Sequence, residues 1–377
     1  MTDYSKQPNY SKRRMFLDEA GSVSIQRYDD FAYPKQDKFT KTQRGAIWIP
    51  DEITLTKDKI DFSKADEATR FIFTANVLRQ TALDSVQGRM PVAVFSPVAS
   101  VPETEAWALW WSAFEQIHSE SYSHIVRNIY NMPQDQFNSI HDTSEILKML
   151  SGVERYYGDL HALNSKRAVL EDLSAKGMPI SDTVRAALEV SEHEHVKAIW
   201  LALNASYALE ALRFMVSFST SLGMTENKIF MGNGNIIGLI LADELLHTEA
   251  TAWILNTNVK DDARFKQVKE ECREQVWDMY MSVIAEEKAW ADYIFQHGTV
   301  LGLNAAIMKS FVDWTAHHRL RDIGIKYDCG LKSSPIPWFN KHLNTNKKQT
   351  ALQEAESISY IMGAMTSEIN YDELPDC

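Results

Sequence analysis

Two stretches of this 377-residue chain repeat one short arrangement of acid and imidazole, Glu115-Gln-Ile-His118 and Glu244-Leu-Leu-His247. Residues three apart share a helix face, so each pair aims a carboxylate and an imidazole at one point, where they can hold a metal ion. Ala108, Trp111, Glu115, His118, Tyr122 and Ile125 recur at three- and four-residue spacing, as do Ile237, Leu241, Glu244 and His247. Both pairs therefore sit on apolar stripes that face a core. Carboxylates buried there need cations or protons to be tolerated. A further match, Glu192-His193-Glu194-His195, is polar at all four positions and reads instead as a solvated helix face.

What distinguishes the first two motifs is an additional acid upstream of each. Asp84 precedes Glu115 by 31 residues, on a face with Phe73, Val77 and Thr81; Glu210 precedes Glu244 by 34, on a face with Leu203, Tyr207, Phe214 and Phe218. An acid, a long spacing and then E-x-x-H thus occurs twice, which is how ferritin-like helical bundles assemble a dinuclear carboxylate site. Four carboxylates cancel two divalent ions, and an oxide bridge would offset oxidation to two trivalent ones. Carboxylate and imidazole donors suit iron or manganese rather than a thiolate zinc or copper site. The competing reading, buried ion pairs without metal, requires cations, and only Arg213 stands close by in sequence.

The elements that must position these residues are helices. No proline occurs between Pro179 and Pro335, and that interval is rich in Ala, Leu, Glu and Met with apolar residues at helical spacing. Pro91, Pro97 and Pro102 place a loop between a helix ending near Arg89 and another opening at Pro102-Glu103, and these two helices should pack antiparallel. The expected fold is all-α, a ferritin-like bundle over residues 46–340 with the dinuclear site in its core. Residues 1–45 read as an irregular arm, and 341–377, which are acidic and poor in continuous apolar sequence, as a flexible tail that orders on a partner.

A net charge of −12 without any Lys/Arg run argues against nucleic acid or an anionic membrane surface as partner. Cys272, Cys329 and Cys377 form no disulfide framework, and neither a signal peptide nor a membrane span is apparent, so a reduced cytoplasmic location is expected.

Four segments carry a family resemblance: LDSVQGR at 83–89, FEQIHSESYSHI at 114–125, LEALRF at 209–214 and ADELLH at 242–247. Together they resemble the small subunit of class I ribonucleotide reductase, close to its aerobic class Ia branch, from about residue 45 onward and including Asn304, the segment Pro335 to Trp338 and the tail around Tyr360. The resemblance implies that Asp84, Glu115 and His118 ligate one metal and Glu210, Glu244 and His247 the other, with bridging carboxylates. It implies two iron ions per chain, with manganese possible, an oxo or hydroxo bridge, and dioxygen with an electron donor for activation. Tyr122 would carry a stable radical within an apolar shell of Phe214, Phe218 and Ile240. Trp48, Asp243 and Tyr360 would relay it to the large subunit, on which the tail docks, Glu354 included. Asp243 would also accept a hydrogen bond from His118. The chain would act as a homodimer, and the large subunit would reduce ribonucleotides to deoxyribonucleotides.

The chain departs from the family in its first 45 residues, between about 150 and 200, and from Tyr371 to Cys377, which bears on the choice of large subunit. Two alternatives share the ligands: a diiron oxygenase or desaturase with its own substrate cavity, and a ferritin-like iron-binding protein with a shorter chain. Tyr122, Trp48, Asp243 and Tyr360 favour the reductase over both.

Overall fold

A computed structural model describes residues 13–19, 21, 25–300 and 302–343 of the chain. These residues form thirteen α-helices joined by short turns, with isolated bridges but no β-sheet. In chain order they are α1 (Pro34–Gly45), α2 (Thr56–Lys64), α3 (Glu67–Gln87), α4 (Pro102–Ile129), α5 (Pro133–Ser139), α6 (Ser144–Ala175), α7 (Asp182–Leu188), α8 (Glu192–Ala208), α9 (Met215–Glu226), α10 (Met231–Asp261), α11 (Ala263–Glu271), α12 (Arg273–Ile294) and α13 (Ala305–Asp322). A five-residue π-helical turn, Leu209–Arg213, carries α8 into α9.

Local chemistry explains where several of these helices begin. Asp66 caps α3 by accepting from the Thr69 amide, and Ser191 with Glu194 closes a capping box on α8. α10 is capped from outside itself. Asp58 of α2 accepts from the amides of Gly232 and Asn233 at 3.0 and 2.7 Å, and Asp61 accepts from that of Phe230 at 3.1 Å. Carboxylates at this terminus satisfy free amides and oppose the helix dipole. Gly234 lets α10 approach α9, since a Cβ there would lie 1.9 Å from Thr225 Oγ1.

The functional helices α3, α4, α8 with its π-turn, and α10 surround one core that extends from Met15 to Phe339. α3 and α4 run antiparallel, as expected: Thr74 meets the Tyr130 hydroxyl at 2.6 Å, while Asp84 lies against His118. Two expectations are corrected here. The proline-bearing connection is helical rather than irregular, with a π-turn over Pro91–Phe95 and a 3₁₀ turn over Ser96–Val98. Residues 34–45, expected within an irregular arm, form α1, which packs on α4. Its buried face carries Gln36, Thr40 and Gln43 beside Phe39, a polar pattern that apolar periodicity does not reveal. Among the described residues no helix is long and apolar enough to cross a membrane.

Candidate metal centre

All six expected ligands are fully buried, and they converge. Asp84 from α3, Glu115 and His118 from α4 and Glu244 from α10 bring ligand atoms within 4.8 Å of one another; so do Glu115, Glu210, Glu244 and His247. Glu115 and Glu244 belong to both groups, which is the placement that two bridging carboxylates require. Nδ1 of His118 lies 3.2 Å from Glu244 Oε1, and Nδ1 of His247 lies 3.1 Å from Glu115 Oε1.

Whether these residues suit metal is tested by their unmet polar demand. Both oxygens of Asp84 and of Glu244, Oε2 of Glu115 and of Glu210, Nδ1 of His118 and both ring nitrogens of His247 are buried without a hydrogen-bond partner. So many unsatisfied donor atoms at one point are costly unless cations or protons occupy them. Arg213, the one cation near in sequence, pairs instead with Glu286, and the buried Arg79 pairs with Glu287. Among the described residues no guanidinium therefore neutralises the cluster, and the donor set fits two hard divalent ions.

Electrostatics follows from the crowding of acids in a dry core. Burial, and then Glu115 and Glu244, push Asp84 well above the usual carboxylate range, and burial does the same to Glu210. Burial opposes ionisation of Glu115 as well, but the close approach of the His118 and His247 imidazoles outweighs it and brings Glu115 down to about 2. Burial likewise disfavours charge on the imidazoles. The hydrogen bond with Asp243 and the adjacent Glu115 and Glu244 carboxylates nevertheless raise His118 well above its ordinary value, and the closeness of Glu115 and Glu244 raises His247 to about 10.

Tyr122 lies one helical turn beyond His118 and is wholly buried, with the Asp84 carboxylate beside its hydroxyl. Burial, then the Asp84 and Glu244 carboxylates, push its phenol well above the ordinary range. Phe214, Phe218 and Ile240 are buried in the same core, with the two phenylalanine rings stacked 5.0 Å apart. On the other side of His118, Asp243 Oδ2 lies 3.2 Å from Nε2 and accepts from Trp48 Nε1 at 2.9 Å. Gln43 of α1 donates to the other oxygen of Asp243 at 3.3 Å. Tyr360, Glu354 and the segment 344–377 lie outside the described residues.

The motif at residues 192–195 stays apart from this cluster. Glu192 pairs with Arg264 and His193 with Glu271 at the surface, in keeping with a solvated face. His195 is a correction: it turns inward, 3% exposed, with Nε2 2.7 Å from Asn164 Oδ1. Burial, with Arg167 nearby, lowers it to about 4. The sequence also concealed partners of Glu210, whose Oε1 accepts from Trp111 Nε1 and Gln87 Nε2, both at 2.6 Å. Trp111 was visible on the stripe of α4, whereas nothing local marked Gln87.

An all-helical core holding two overlapping carboxylate and imidazole clusters able to hold metal places the protein in the ferritin-like class. The family profile described as "Ribonucleotide reductase, small chain" matches residues 26–327, and the chain belongs to that family. It is 35% identical over 378 residues to the ribonucleoside-diphosphate reductase subunit beta of Haemophilus influenzae, covering 100% of this chain and 98% of that relative. The fold resembles the ribonucleotide reductase R2 subunit of Clostridium botulinum, with a TM-score of 0.72 at 20% identity over 90% of this chain and 98% of that one. It also resembles the dimanganese(II)-NrdF of Streptococcus sanguinis, with a TM-score of 0.62 at 17% identity over 81% and 94%. The chain thus serves ribonucleoside-diphosphate reductase as its small subunit, beside a large-subunit partner, and not as a self-contained oxygenase or an iron store.

Proposed function

We propose that this subunit generates and keeps the radical of its reductase on Tyr122. The observation that carries the proposal is a fully buried phenol on which the carboxylates of the ligands Asp84 and Glu244 act most strongly. Asp84, Glu115 and His118 would hold one ion, and Glu210, Glu244 and His247 the other, with Glu115 and Glu244 shared. Iron is the metal we assign; manganese is the alternative the same donors accept, and the Streptococcus sanguinis protein is described with it. When bound, the ions supply the redox equivalents through which dioxygen, with an external electron donor, leaves Tyr122 oxidised.

The residues around the phenol have separate tasks. Oxidation removes the hydroxyl proton of Tyr122, and the Asp84 carboxylate is the charge that acts most strongly on that hydroxyl. Phe214, Phe218 and Ile240 keep water and reductants away. Trp48, Asp243 and His118 form a hydrogen-bonded line from the ligand shell to α1 and the chain before α2, and we assign it as the exit route, with Tyr360 as its distal step. The tail 341–377 would dock on the large subunit, and two copies of the chain would form a homodimer.

The deciding experiment is low-temperature electron paramagnetic resonance after ferrous iron and oxygen are added to the apo-protein. A tyrosyl doublet that disappears in Tyr122→Phe is expected. Its absence from the parent, with two irons bound, would overturn the assignment.

A further inference from the structure

Oε1 of Glu210 accepts two hydrogen bonds, from Trp111 and Gln87, which engage both of its lone pairs, while Oε2 has none. The direction of the network behind Gln87 follows. The ionised carboxylate that holds a metal only accepts, and a proton carried on the unpartnered Oε2 leaves Oε1 an acceptor too, so Gln87 turns its amide nitrogen toward Glu210 and its oxygen away. That oxygen lies 2.5 Å from the Tyr157 hydroxyl, which must therefore donate to it. With the Tyr157 proton committed, Ser206 Oγ, 2.6 Å from the phenol oxygen, is the group left to donate to Tyr157; its competing acceptor is the Ala202 carbonyl at 3.1 Å. Ser206, Tyr157, Gln87 and Glu210 come from α8, α6, α3 and the π-turn, and all are fully buried. Donors aligned in one direction in a dry core polarise and strengthen one another.

We propose that Tyr157, backed by Ser206, is a positioning residue of the metal centre: it fixes the Gln87 amide and thereby holds the Glu210 carboxylate in place as a ligand on the His247 side. Tyr157 touches no ligand and acts only through Gln87. Without its hydroxyl, the Gln87 amide is free to turn its oxygen toward Glu210, replacing a donor with a repelling acceptor. The inference rests on the dimetal reading above, and nothing in the E-x-x-H pattern points to it.

The test is equilibrium titration of Mn(II) into full-length apo-protein, with free Mn(II) followed by electron paramagnetic resonance, for the parent, Tyr157→Phe, Ser206→Ala, Gln87→Met and the Tyr157→Phe/Gln87→Met pair. The parent should bind two ions. Tyr157→Phe should weaken one site by roughly 10- to 100-fold, the usual effect of losing an outer-shell partner, and leave the other within a few-fold. Ser206→Ala should weaken the same site less, and it carries the test if Tyr157→Phe does not fold. The double variant should bind no more weakly than Gln87→Met alone, because Tyr157 has no other route to the metal. Unchanged binding in Tyr157→Phe, equal weakening of both sites, or a loss that adds in full to that of Gln87→Met would overturn the proposal. A parent that binds no Mn(II) would overturn the dimetal reading itself.

Discussion

Loading the centre should expel protons, and the number can be worked out from the charges of the empty site. Burial and neighbouring acids favour a proton on Asp84 and on Glu210, and adjacent carboxylates favour one on each of His118 and His247. All four groups must surrender it to act as ligands. The protons stand in for the charge of two divalent ions, so about four should leave per chain when both bind from a solution near pH 6. Each released proton steepens the pH dependence of the loading constant by a factor of about ten per pH unit, which amounts to roughly 10⁴-fold per unit while all four are held. The number should fall as pH rises and Asp84 and Glu210 ionise, with His247 keeping its proton until about pH 10. The sign for the apo-fold is opposite. All four groups have folded pKa values raised above their unfolded ones, so their stabilisation is complete below the unfolded values and is lost as pH rises through the folded ones. Raising pH above 6.5 should therefore lower the Tm of the apo-protein and widen its gap from the metal-loaded form. Calorimetric titration of Mn(II) in two buffers of different ionisation enthalpy counts the protons directly. Release of fewer than about one proton per chain at pH 6 would refute these charge states.

Tyr122→Phe should fold and take up two metals yet form no stable radical and support no nucleotide reduction with the large subunit; undiminished turnover would remove Tyr122 from the mechanism. Glu244→Ala should lower metal stoichiometry, as metal analysis would show, whereas Glu192→Gln should retain two ions per chain because Glu192 pairs with Arg264 at the surface. Glu287→Ala leaves the guanidinium of Arg79 buried and unpaired beside Arg213, and should cost roughly 3–5 kcal/mol in denaturant unfolding. An unchanged midpoint would mean that Arg79 finds another partner. Deleting residues 351–377 should leave metal uptake and the Tyr122 signal intact but abolish turnover with the large subunit, and normal turnover would refute the docking role of the tail.

What the sequence determined by itself is whatever depends on short range. A carboxylate and an imidazole three residues apart must share a helix face, and the apolar stripes through Trp111, Tyr122, Ile237 and Leu241 place those faces inward, so the duplicated motif and its burial were readable before any fold was known. The long stretch without proline was readable as helix for the same local reason. Other features escaped because they depend on what a helix meets rather than on what it contains. α1 was missed since its buried face is polar: Thr104 donates to the Gln36 side chain, and the Gln43 side chain donates to Asp243. His195 was read as exposed because its neighbours are charged, yet Asn164 of α6 draws it inward. The sharing of Glu115 and Glu244, the π-turn at Glu210, the Ser206–Tyr157–Gln87 line and the Arg79–Glu287 pair each join residues distant in sequence. Tertiary structure decided them because a buried polar atom must find its partner wherever packing brings one within about 3 Å, and no local spacing specifies that partner.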